Sequence, residues 1–421
     1  MNIYVETYGC TANKADEALL LGLLKQEHHR IVQSMDHADV LILLTCTVIG
    51  TTEQRMLSRL KVFQETQKKI IVTGCMASVQ SDLVISHFPS AIVLPSQRIA
   101  QINDVIKYDI IKGEKKITKT KETTVHPKYF REITAPVAIA EGCTRSCTYC
   151  ITHFARGELH SYPLDAITSD VRSALQQGCK EIQLTAQDTA SYGLDSDTNL
   201  GALLNNICEL QGTFRIRVGM MNPMTTKNNL DAILSAYHHQ KIYKFLHLPV
   251  QSGDDEILTA MNRGYTVKDF SSIVKKFRDE FPILTLSTDV IIGFPTETDT
   301  QFQRTMKLIE HIRPDIINIT RFSARPLTTA KTMKGRIPTH IAKERSQQIT
   351  TLCTAISHQK NQEHIGKTYR VLITEKGKHE TFTGRAENYK QVVINEPVHL
   401  GDIVHTKIIQ AAPTYLFGKL I

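Results

Sequence analysis

The sequence has no tryptophan, and no hydrophobic run near its start is long enough to cross a membrane. The longest such run, residues 40–44 (Val-Leu-Ile-Leu-Leu), falls far short of the roughly 20 residues that span a bilayer as a helix. No secretory segment is visible either, so we expect a cytoplasmic protein without a membrane partner. Without tryptophan, any stacking on nucleic-acid bases would fall to Tyr, Phe or Arg.

The rest of the composition is that of an ordinary globular protein. Hydrophobic residues make up 41% and charged residues 22% of the 421 residues, which predicts two or three domains with their own cores. The formal net charge of +8 favours a polyanionic partner. Nine cysteines in a reducing compartment indicate metal binding rather than disulfides.

Three of the cysteines, Cys143, Cys147 and Cys150, stand within eight residues of one another. Thiolates are soft ligands, so a cluster this tight indicates an iron–sulfur or a zinc site. No fourth cysteine lies nearby, and a ligand set that leaves one metal position open is typical of catalytic rather than structural sites. The alternative is a zinc knuckle in which His153 is the fourth ligand.

Residues 1–111 predict a small, doubly wound α/β domain, because short β-rich runs alternate with helical patterns. Three of those runs are each followed by a cysteine: Cys10, Cys46 and Cys75. The carboxyl ends of strands line the ligand crevice of an open parallel sheet, so we expect these thiols to converge on a second metal site. The alternative is that each is an ordinary buried residue near a strand end.

Residues 112–131 predict a basic linker, with seven Lys or Arg against two Glu. Such a segment is either a solvated connector or an arm that contacts phosphates.

Residues 132–360 repeat a β–α unit with six predicted strands, which indicates a partial (β/α)6 barrel. The chemistry of such barrels sits at the carboxyl ends of the strands. The cysteine loop follows the first predicted strand, and polar side chains follow the others. These side chains are Gln187, Asp188, Asn222, Gln251, Ser252, Glu297 and Arg325.

Residues 361–421 change to short alternating strands punctuated by glycine. This pattern predicts a small antiparallel β-barrel of the size that binds oligonucleotides. Within it, Arg385, Tyr389 and Lys390 offer two cations and a stackable ring, so we expect them to contact RNA.

In combination, these features resemble the methylthiotransferase family of radical S-adenosylmethionine (SAM) enzymes over nearly the whole chain. The Cys-x-x-x-Cys-x-x-Cys loop resembles the radical SAM signature, and the C-terminal barrel resembles a TRAM domain. Residues 8–16, 150–157, 245–253 and 289–295 look like the archaeal and eukaryotic threonylcarbamoyladenosine tRNA methylthiotransferases.

The resemblance implies two 4Fe–4S clusters, each with an open iron. The cluster on Cys143, Cys147 and Cys150 would bind SAM and generate a radical, and the cluster on Cys10, Cys46 and Cys75 would carry the sulfur or methylthio group. Five residues become candidate contacts for SAM or substrate. These are Tyr149, Gln187, Asp188, Gln251 and Ser252.

The implied reaction inserts sulfur into N6-threonylcarbamoyladenosine next to the anticodon of tRNA and methylates it. The implied partners are the anticodon stem-loop, a reductant protein and a sulfur source. Arg156 or Arg325 would meet the carboxylate of the threonylcarbamoyl group, and three isolated cysteines, Cys179, Cys208 and Cys353, would only fill the core.

Other functions remain open at this stage. The substrate of a methylthiotransferase can instead be an isopentenyladenosine in tRNA or an aspartate of a ribosomal protein. The chain can also be a radical SAM enzyme of another reaction, which uses the second cluster only for electron transfer, or a non-catalytic RNA-binding metalloprotein.

Overall fold

The computed structural model describes residues 1–48, 50–108 and 126–421. The described chain forms an α/β fold with a flat parallel sheet, a curved run of β–α units and a closed β-barrel, in that order. Most of the predicted linker, residues 112–125, lies outside the described residues. Two linker cations are described, and both have carboxylate partners: Lys128 pairs with Asp170, and Arg131 lies 3.5 Å from Glu17.

The amino-terminal part is a five-stranded parallel sheet in the order β2-β1-β3-β4-β5, with helices on both faces. Strand β3 is buried along its whole length, as expected for a strand covered on both sides. The short edge strand β2 was not predicted from the sequence. The elements are β1 (Asn2–Thr7), α1 (Thr11–Gln26), β2 (Arg30–Val32), β3 (Val40–Thr45), α2 (Gly50–Glu65), β4 (Lys69–Gly74), α3 (Cys75–Val79), α4 (Ser81–His87), β5 (Ile92–Pro95) and α5 (Ile102–Tyr108).

The central part is a partial barrel of six parallel strands, in two sheets ordered β6-β9-β10 and β11-β12-β13. A single bridge between Ile216 and Ile242 connects the two sheets. The elements are β6 (Thr134–Ala138), β7 (Ala140–Glu141), α6 (Thr152–Arg156), β8 (His160–Ser161), α7 (Leu164–Gln176), β9 (Glu181–Thr185), α8 (Leu200–Glu209), β10 (Arg215–Val218), α9 (Pro223–Asn228), α10 (Leu230–Tyr237), β11 (Phe245–His247), α11 (Asp255–Ala260), α12 (Val267–Glu280), β12 (Thr285–Ile292), α13 (Asp299–Ile312), β13 (Ile316–Arg321) and α14 (Thr339–Gln362).

Helix α12 illustrates why these segments fold as they do. Thr266 and Asp269 form a reciprocal capping box at its start, which satisfies backbone N–H groups that would otherwise lack partners. Its apolar residues recur at helical spacing, and Phe270, Ile273 and Phe277 are buried in the barrel core.

The carboxyl-terminal part is a closed five-stranded barrel in the order β14-β15-β16-β18-β17. Strands β16 and β18 pair in parallel, and the other neighbours pair antiparallel. The elements are β14 (Thr368–Lys376), β15 (Phe382–Ala386), β16 (Gln391–Ile394), β17 (Ile403–Ala411) and β18 (Leu416–Leu420).

This small barrel docks against the amino ends of the central strands, which is the end opposite the cysteine loop. The Tyr389 hydroxyl donates to Glu181, the first residue of β9, at 3.2 Å, and the Tyr389 ring lies 4.8 Å from the ring of Phe245, the first residue of β11. Lys390 Nζ lies 2.8 Å from Asp315, directly before β13. Contacts at this end of a barrel serve stability rather than chemistry.

The RNA contacts of Tyr389 and Lys390 stay predictions, but in this structure both side chains have partners within the chain. The Lys390 side chain is only 6% exposed, and its ammonium group is used by Asp315 and by Asn361. Both residues hold the small barrel to the central one. Arg385 remains a predicted RNA contact; it is half-buried and its guanidinium lies 3.8 Å from Glu375.

We expect Lys390→Met to lower the free energy of unfolding by about 3 kcal/mol, because it removes one of two cations that face the buried carboxylate of Asp315. Urea unfolding followed by circular dichroism measures the change. Lys419→Met, at an exposed position in β18, is the matched control and should stay within about 0.5 kcal/mol of the unmodified protein. Equal effects of the two substitutions would contradict the anchoring role.

The same pair predicts a pH dependence. Burial raises the pKa of Asp315, but Lys390 and Lys360 outweigh burial and hold that pKa below its usual range. A carboxyl with a depressed folded pKa stabilises the fold above its unfolded pKa of about 3.9, and this contribution is lost as the pH falls through the folded pKa. The stability difference between the unmodified protein and Lys390→Met should therefore shrink on acidification below about pH 4.

Candidate functional site

The three amino-terminal cysteines follow β1, β3 and β4, which are neighbours in the sheet. Cys10 precedes α1 and is exposed, whereas Cys46 and Cys75 are buried. Burial raises the pKa of the Cys75 thiol to about 11; Arg156 lowers it, and the nearby Cys10 and Cys46 thiols raise it further. The three cysteines thus follow neighbouring strands at one edge of the sheet, and their convergence on a shared metal site stays a prediction.

Two glycines make this convergence possible. Gly9 has a φ of +112°, and a Cβ there would lie 2.9 Å from Cys46 Cβ. Gly74 has a φ of +89°, and a Cβ there would lie 2.5 Å from the carbonyl oxygen of Thr45. Only glycine fits such close backbone approaches in this conformation. The Gly-Cys turns after β1 and β4 thus serve to bring neighbouring strand ends close together.

The second cysteine set lies on the loop between β7 and α6. The Cys143 backbone N–H donates to Gly157 O at 3.1 Å, and Cys150 N–H donates to Cys147 O at 3.0 Å, so the loop closes on itself. Gln187 Oε1 accepts a hydrogen bond of 2.7 Å from Gly142 N–H, which ties the loop to the end of β9.

The loop sulfurs accept hydrogen bonds from nitrogen. Arg145 N–H donates to Cys143 Sγ at 3.4 Å, and Arg263 Nη1 donates to Cys147 Sγ at 3.2 Å. Burial raises the pKa of Cys143 to about 12. Hydrogen bonds to the cysteine sulfurs adjust the reduction potential of iron–sulfur clusters. Three neighbouring thiols, two of which accept such hydrogen bonds, therefore fit a cluster of this kind.

His153 does not complete a zinc site in this structure. Its Nε2 lies 3.4 Å from Glu158, which is largely exposed. Within residues 1–48, 50–108 and 126–421, no group of three or more His, Cys, Asp or Glu stands close enough together to hold a single metal ion. The cysteine sulfurs that bind separate irons of a 4Fe–4S cluster lie farther apart than the ligands of one ion, and each cysteine set supplies thiolates, the ligands that such clusters take.

The helices that adjoin the two cysteine sets meet at one interface, where α3 packs against α6. Helix α3 begins at Cys75, and α6 begins two residues after Cys150. Arg156, in the last turn of α6, is 2% exposed and lies between the sets. Its guanidinium pairs with Asp16 at 2.7 Å, pairs with Glu141 at 3.0 Å and donates to Asn13 at 2.8 Å.

Arg156 therefore connects α1 of the first sheet with the strand that precedes Cys143. Asn13 extends the network, because its Oδ1 lies 3.8 Å from Cys75 Sγ and its Nδ2 donates to Thr45 O at 2.9 Å. The hypothesis that Arg156 meets a substrate carboxylate is wrong in this arrangement, since the guanidinium is buried and two carboxylates of the chain already face it.

Arg325 forms a second buried contact between the same two parts of the chain. It is 5% exposed, pairs with Glu53 of α2 and donates to Thr47 at 3.1 Å. Its expected role toward a substrate carboxylate is likewise wrong for this conformation, because Glu53 occupies the position that such a carboxylate would take.

The expected contacts for SAM or substrate divide into two groups. Asp188 is 1% exposed, and its carboxylate accepts hydrogen bonds from Asn222 N–H at 2.9 Å and from the Thr225 hydroxyl at 2.7 Å. Ser252 is 1% exposed, and its hydroxyl lies 3.4 Å from that of Thr305 on α13. In this structure Asp188 and Ser252 hold the barrel's strand-end loops in place, and their contacts with a bound molecule stay predictions.

Tyr149, Gln187 and Gln251 remain predicted contacts. Tyr149 lies between two cluster cysteines, and its hydroxyl accepts a hydrogen bond of 3.3 Å from Arg263. Gln251 has a φ of +69°, a strained conformation for a non-glycine residue that is held by hydrogen bonds to the backbone of Asp289 and Ile291. Such strain is found most often at functional sites.

Two other polar residues at strand ends have structural roles. Asn222 caps α9 by accepting from Met224 N–H at 3.0 Å. Glu297 is 2% exposed and pairs with Arg345 of α14 at 3.0 Å. For these residues the plain interpretation as caps and turn residues is the correct one.

The sequence analysis missed Arg263, which lies 116 residues from Cys147. It is 7% exposed, and its Nε donates to the Tyr265 hydroxyl at 3.1 Å. Nothing in the local sequence distinguishes this arginine from a loop residue. Only the curvature of the barrel brings it to the cysteine loop.

A polar network on β11, β12 and β13 was also missed. His247 Nε2 lies 3.0 Å from Asp289 Oδ1, and Asn318 Nδ2 donates to the same oxygen at 2.7 Å. Burial raises the pKa of Asp289, but His247 and Asn318 outweigh burial and hold the pKa below its usual range. Register could have revealed this network, because Asp289 pairs with Asn318 in the sheet.

The three isolated cysteines are buried in the core of the central barrel, as predicted. Cys179 is 1%, Cys208 4% and Cys353 6% exposed, and all three belong to the same hydrophobic cluster.

No helix of the described residues has the length and apolar character needed to cross a membrane.

Three protein-family models match successive parts of the chain. Residues 2–95 match the uncharacterized protein family UPF0004, residues 137–309 match the radical SAM superfamily, and residues 362–421 match the TRAM domain. Among solved structures, the radical SAM methyltransferase TsrM from Kitasatospora setae is similar in fold, with a TM-score of 0.58 and 12% identity over 78% of this chain and 73% of that one. The chain thus contains a radical SAM domain followed by a TRAM domain.

Full-length relatives define the family more closely. The probable threonylcarbamoyladenosine tRNA methylthiotransferase of Pyrococcus horikoshii is 42% identical over the whole of both chains. The corresponding human protein is 31% identical over 99% of this chain and 73% of its own. The chain belongs to the threonylcarbamoyladenosine tRNA methylthiotransferase family.

We expect Arg156→Met to lower the free energy of unfolding by about 3 kcal/mol, because it removes the cation that faces two buried carboxylates. Arg156→Lys should recover only part of this loss, since an ammonium group lacks the planar fork that reaches Asn13 as well. Thermal unfolding of the protein purified without iron measures both effects.

The matched control is Arg172→Met at an exposed position of α7, with an expected change within about 0.5 kcal/mol. If Arg156→Met were as stable as this control, the contact between the two cysteine-bearing parts would not depend on Arg156.

Proposed function

We propose that this chain converts N6-threonylcarbamoyladenosine, next to the anticodon of tRNA, to its 2-methylthio derivative. Two observations support the proposal: the helices that adjoin the two sets of three cysteines pack against each other, and the full-length relatives carry the names given above. Sulfur insertion needs both a radical source and a sulfur carrier, and one set of thiolates for each explains why the chain has two.

The proposed assignment of parts follows the sequence. Residues 1–111 would hold the second cluster, residues 112–131 form a basic linker, residues 132–360 form the radical SAM barrel and residues 361–421 form the TRAM barrel. The proposed cofactors are SAM and two 4Fe–4S clusters. The proposed partners are the tRNA anticodon stem-loop, a reductant protein and a sulfur source, in the cytoplasm.

Cys143, Cys147 and Cys150 would hold the radical-generating cluster, and Cys10, Cys46 and Cys75 the other. Bound there, the clusters and SAM supply the radical that carbon 2 of adenine requires, because that carbon is neither acidic nor a good electrophile, and a second SAM supplies the methyl group.

The chain's own residues prepare this site. Arg263 donates to Cys147 Sγ at 3.2 Å and thereby withdraws electron density from the sulfur. Gln187 fixes the start of the loop through Gly142. Tyr149 packs edge-on against Phe294 with ring centroids 6.5 Å apart, so an aromatic pair stands beside the cysteine loop.

The experiment that tests the function is nucleoside analysis of tRNA. The chain is produced in a host that makes threonylcarbamoyladenosine but lacks its methylthiotransferase, and total tRNA is digested and analysed by mass spectrometry. The expected result is the 2-methylthio derivative with the unmodified chain and only the parent nucleoside with Cys147→Ser. A methylthio group on isopentenyladenosine alone, or on no nucleoside, would contradict the proposal.

Iron content separates the two cysteine sets. After anaerobic reconstitution we expect about eight irons per chain, and about four in either triple variant, Cys10→Ser/Cys46→Ser/Cys75→Ser or Cys143→Ser/Cys147→Ser/Cys150→Ser. SAM cleavage under dithionite should survive only in the first variant. The matched control, Cys179→Ser/Cys208→Ser/Cys353→Ser, removes three thiols from the core and should keep the full iron content. Stable zinc without SAM cleavage would indicate a non-catalytic metalloprotein.

A further inference from the structure

Residues 316–340 contain five Lys or Arg and no Asp or Glu. One of the five, Arg325, is buried and paired with Glu53. The other four are exposed, and we call them the basic rim; they are Arg321, Lys331, Lys334 and Arg336.

The charges of the basic rim are not neutralised by the described part of the chain. No carboxylate among the described residues forms an ion pair with any of the four side chains. Arg336 Nη2 donates to the Lys331 carbonyl oxygen at 2.7 Å, which fixes the arginine without reducing its charge. A cluster of exposed, unpaired cations creates a positive potential that attracts a polyanion.

Two of these cations, Arg321 and Arg336, line a groove of about 570 Å³. Its other lining residues include Thr51, Thr320, Ser323 and Thr339, which carry hydroxyl groups, and Phe322. This lining contains hydroxyl groups, one aromatic ring and no acidic side chain. Such a composition suits a phosphodiester backbone, which needs cations and neutral donors and is repelled by carboxylates.

The groove lies close to the cysteine loop and to the segment that follows Cys46. On one side, α2 starts four residues after Cys46. On the other, Ala330 N–H donates to Thr148 O of the cysteine loop at 2.8 Å, and the Phe322 ring lies 5.5 Å from that of Phe294, which packs against Tyr149. An anion bound in the groove would therefore stand next to the reacting centre.

The small C-terminal barrel leaves this position free. It docks at the amino ends of the central strands, and two of its expected RNA contacts, Tyr389 and Lys390, are used in that docking. The substrate nucleotide, however, must reach the carboxyl ends. A single-stranded loop held there needs cations close to the reacting base.

We propose that the basic rim binds the phosphodiester backbone of the RNA loop that carries the reacting nucleotide, with Arg321 and Arg336 contacting phosphates inside the groove. The inference rests on the proposed function for the identity of the RNA. The surface itself is defined by unpaired charge, an acid-free groove and contact with the cysteine loop.

The test compares Arg321→Gln/Arg336→Gln with Arg30→Gln/Arg172→Gln, a control pair of exposed arginines on β2 and α7 that removes the same net charge. Binding of the reconstituted protein to an anticodon stem-loop RNA is measured by fluorescence anisotropy over a range of salt concentrations. We expect the rim variant to raise Kd by about tenfold or more and to lower the slope of log Kd against log salt by about 1.5, since each loop phosphate contact adds about 0.7 to that slope.

Arg321→Lys/Arg336→Lys should restore most of the affinity, because a phosphate accepts either cation. SAM cleavage in the absence of RNA should be the same in all variants, which shows that each has folded and holds its cluster. Kd and salt slope equal to those of the control pair would overturn the inference. Loss of SAM cleavage in the rim variant together with failure of the lysine rescue would also overturn it, since the effect would then be structural.

Failure of the proposed function gives a different pattern. In that case the unmodified protein leaves no methylthio group on tRNA, whereas the RNA-binding comparison still decides whether the basic rim is the RNA surface.

Discussion

The structure depends on one buried guanidinium. Arg156 lies where two separately folded parts of the chain meet, and it faces Asp16 from one part and Glu141 from the other. A charge this deeply buried is tolerated only with close partners of opposite sign. The ion pairs of Arg156 therefore fix the relative position of the two parts together with the apolar contacts. Because Cys75 begins α3 and Cys150 lies two residues before α6, the same contact holds together the helices that adjoin the two sets of thiols.

The two ends of the central barrel have different roles: one carries the candidate site, and the small barrel is attached to the other. At the carboxyl ends of the strands, the cysteine loop, Arg263 and the His247–Asp289 pair lie together. At the amino ends, Tyr389 and Lys390 attach the small barrel through Glu181 and Asp315. A substrate as large as tRNA can then be held by several surfaces while its reacting nucleotide reaches only one end.

The sequence predicted most of the architecture because its signals were local. The apolar run of β3 and the spacing of Cys143, Cys147 and Cys150 lie within short windows, so pattern and chemistry agree. The position of Cys10, Cys46 and Cys75 at one edge of the sheet was also predictable, since the ends of parallel strands share one edge.

The errors concern residues whose partners are distant in the chain. Arg156 and Arg325 looked like free cations, but Asp16 and Glu53 neutralise them across an interface that no local pattern shows. Lys390 looked like an RNA contact for the same reason. A charged side chain in a loop has the same sequence signature whether it meets solvent, a ligand or another domain, and only the fold decides which.

Two iron–sulfur clusters are proposed to face each other across the interface held by Arg156. Electron paramagnetic resonance of the dithionite-reduced, reconstituted protein tests it most directly, because two nearby paramagnetic clusters broaden and split each other's signals. The account predicts a spectrum with such coupling that disappears when either cysteine set is replaced by serine. A spectrum equal to the plain sum of those of the two triple variants would place the clusters too far apart and contradict it.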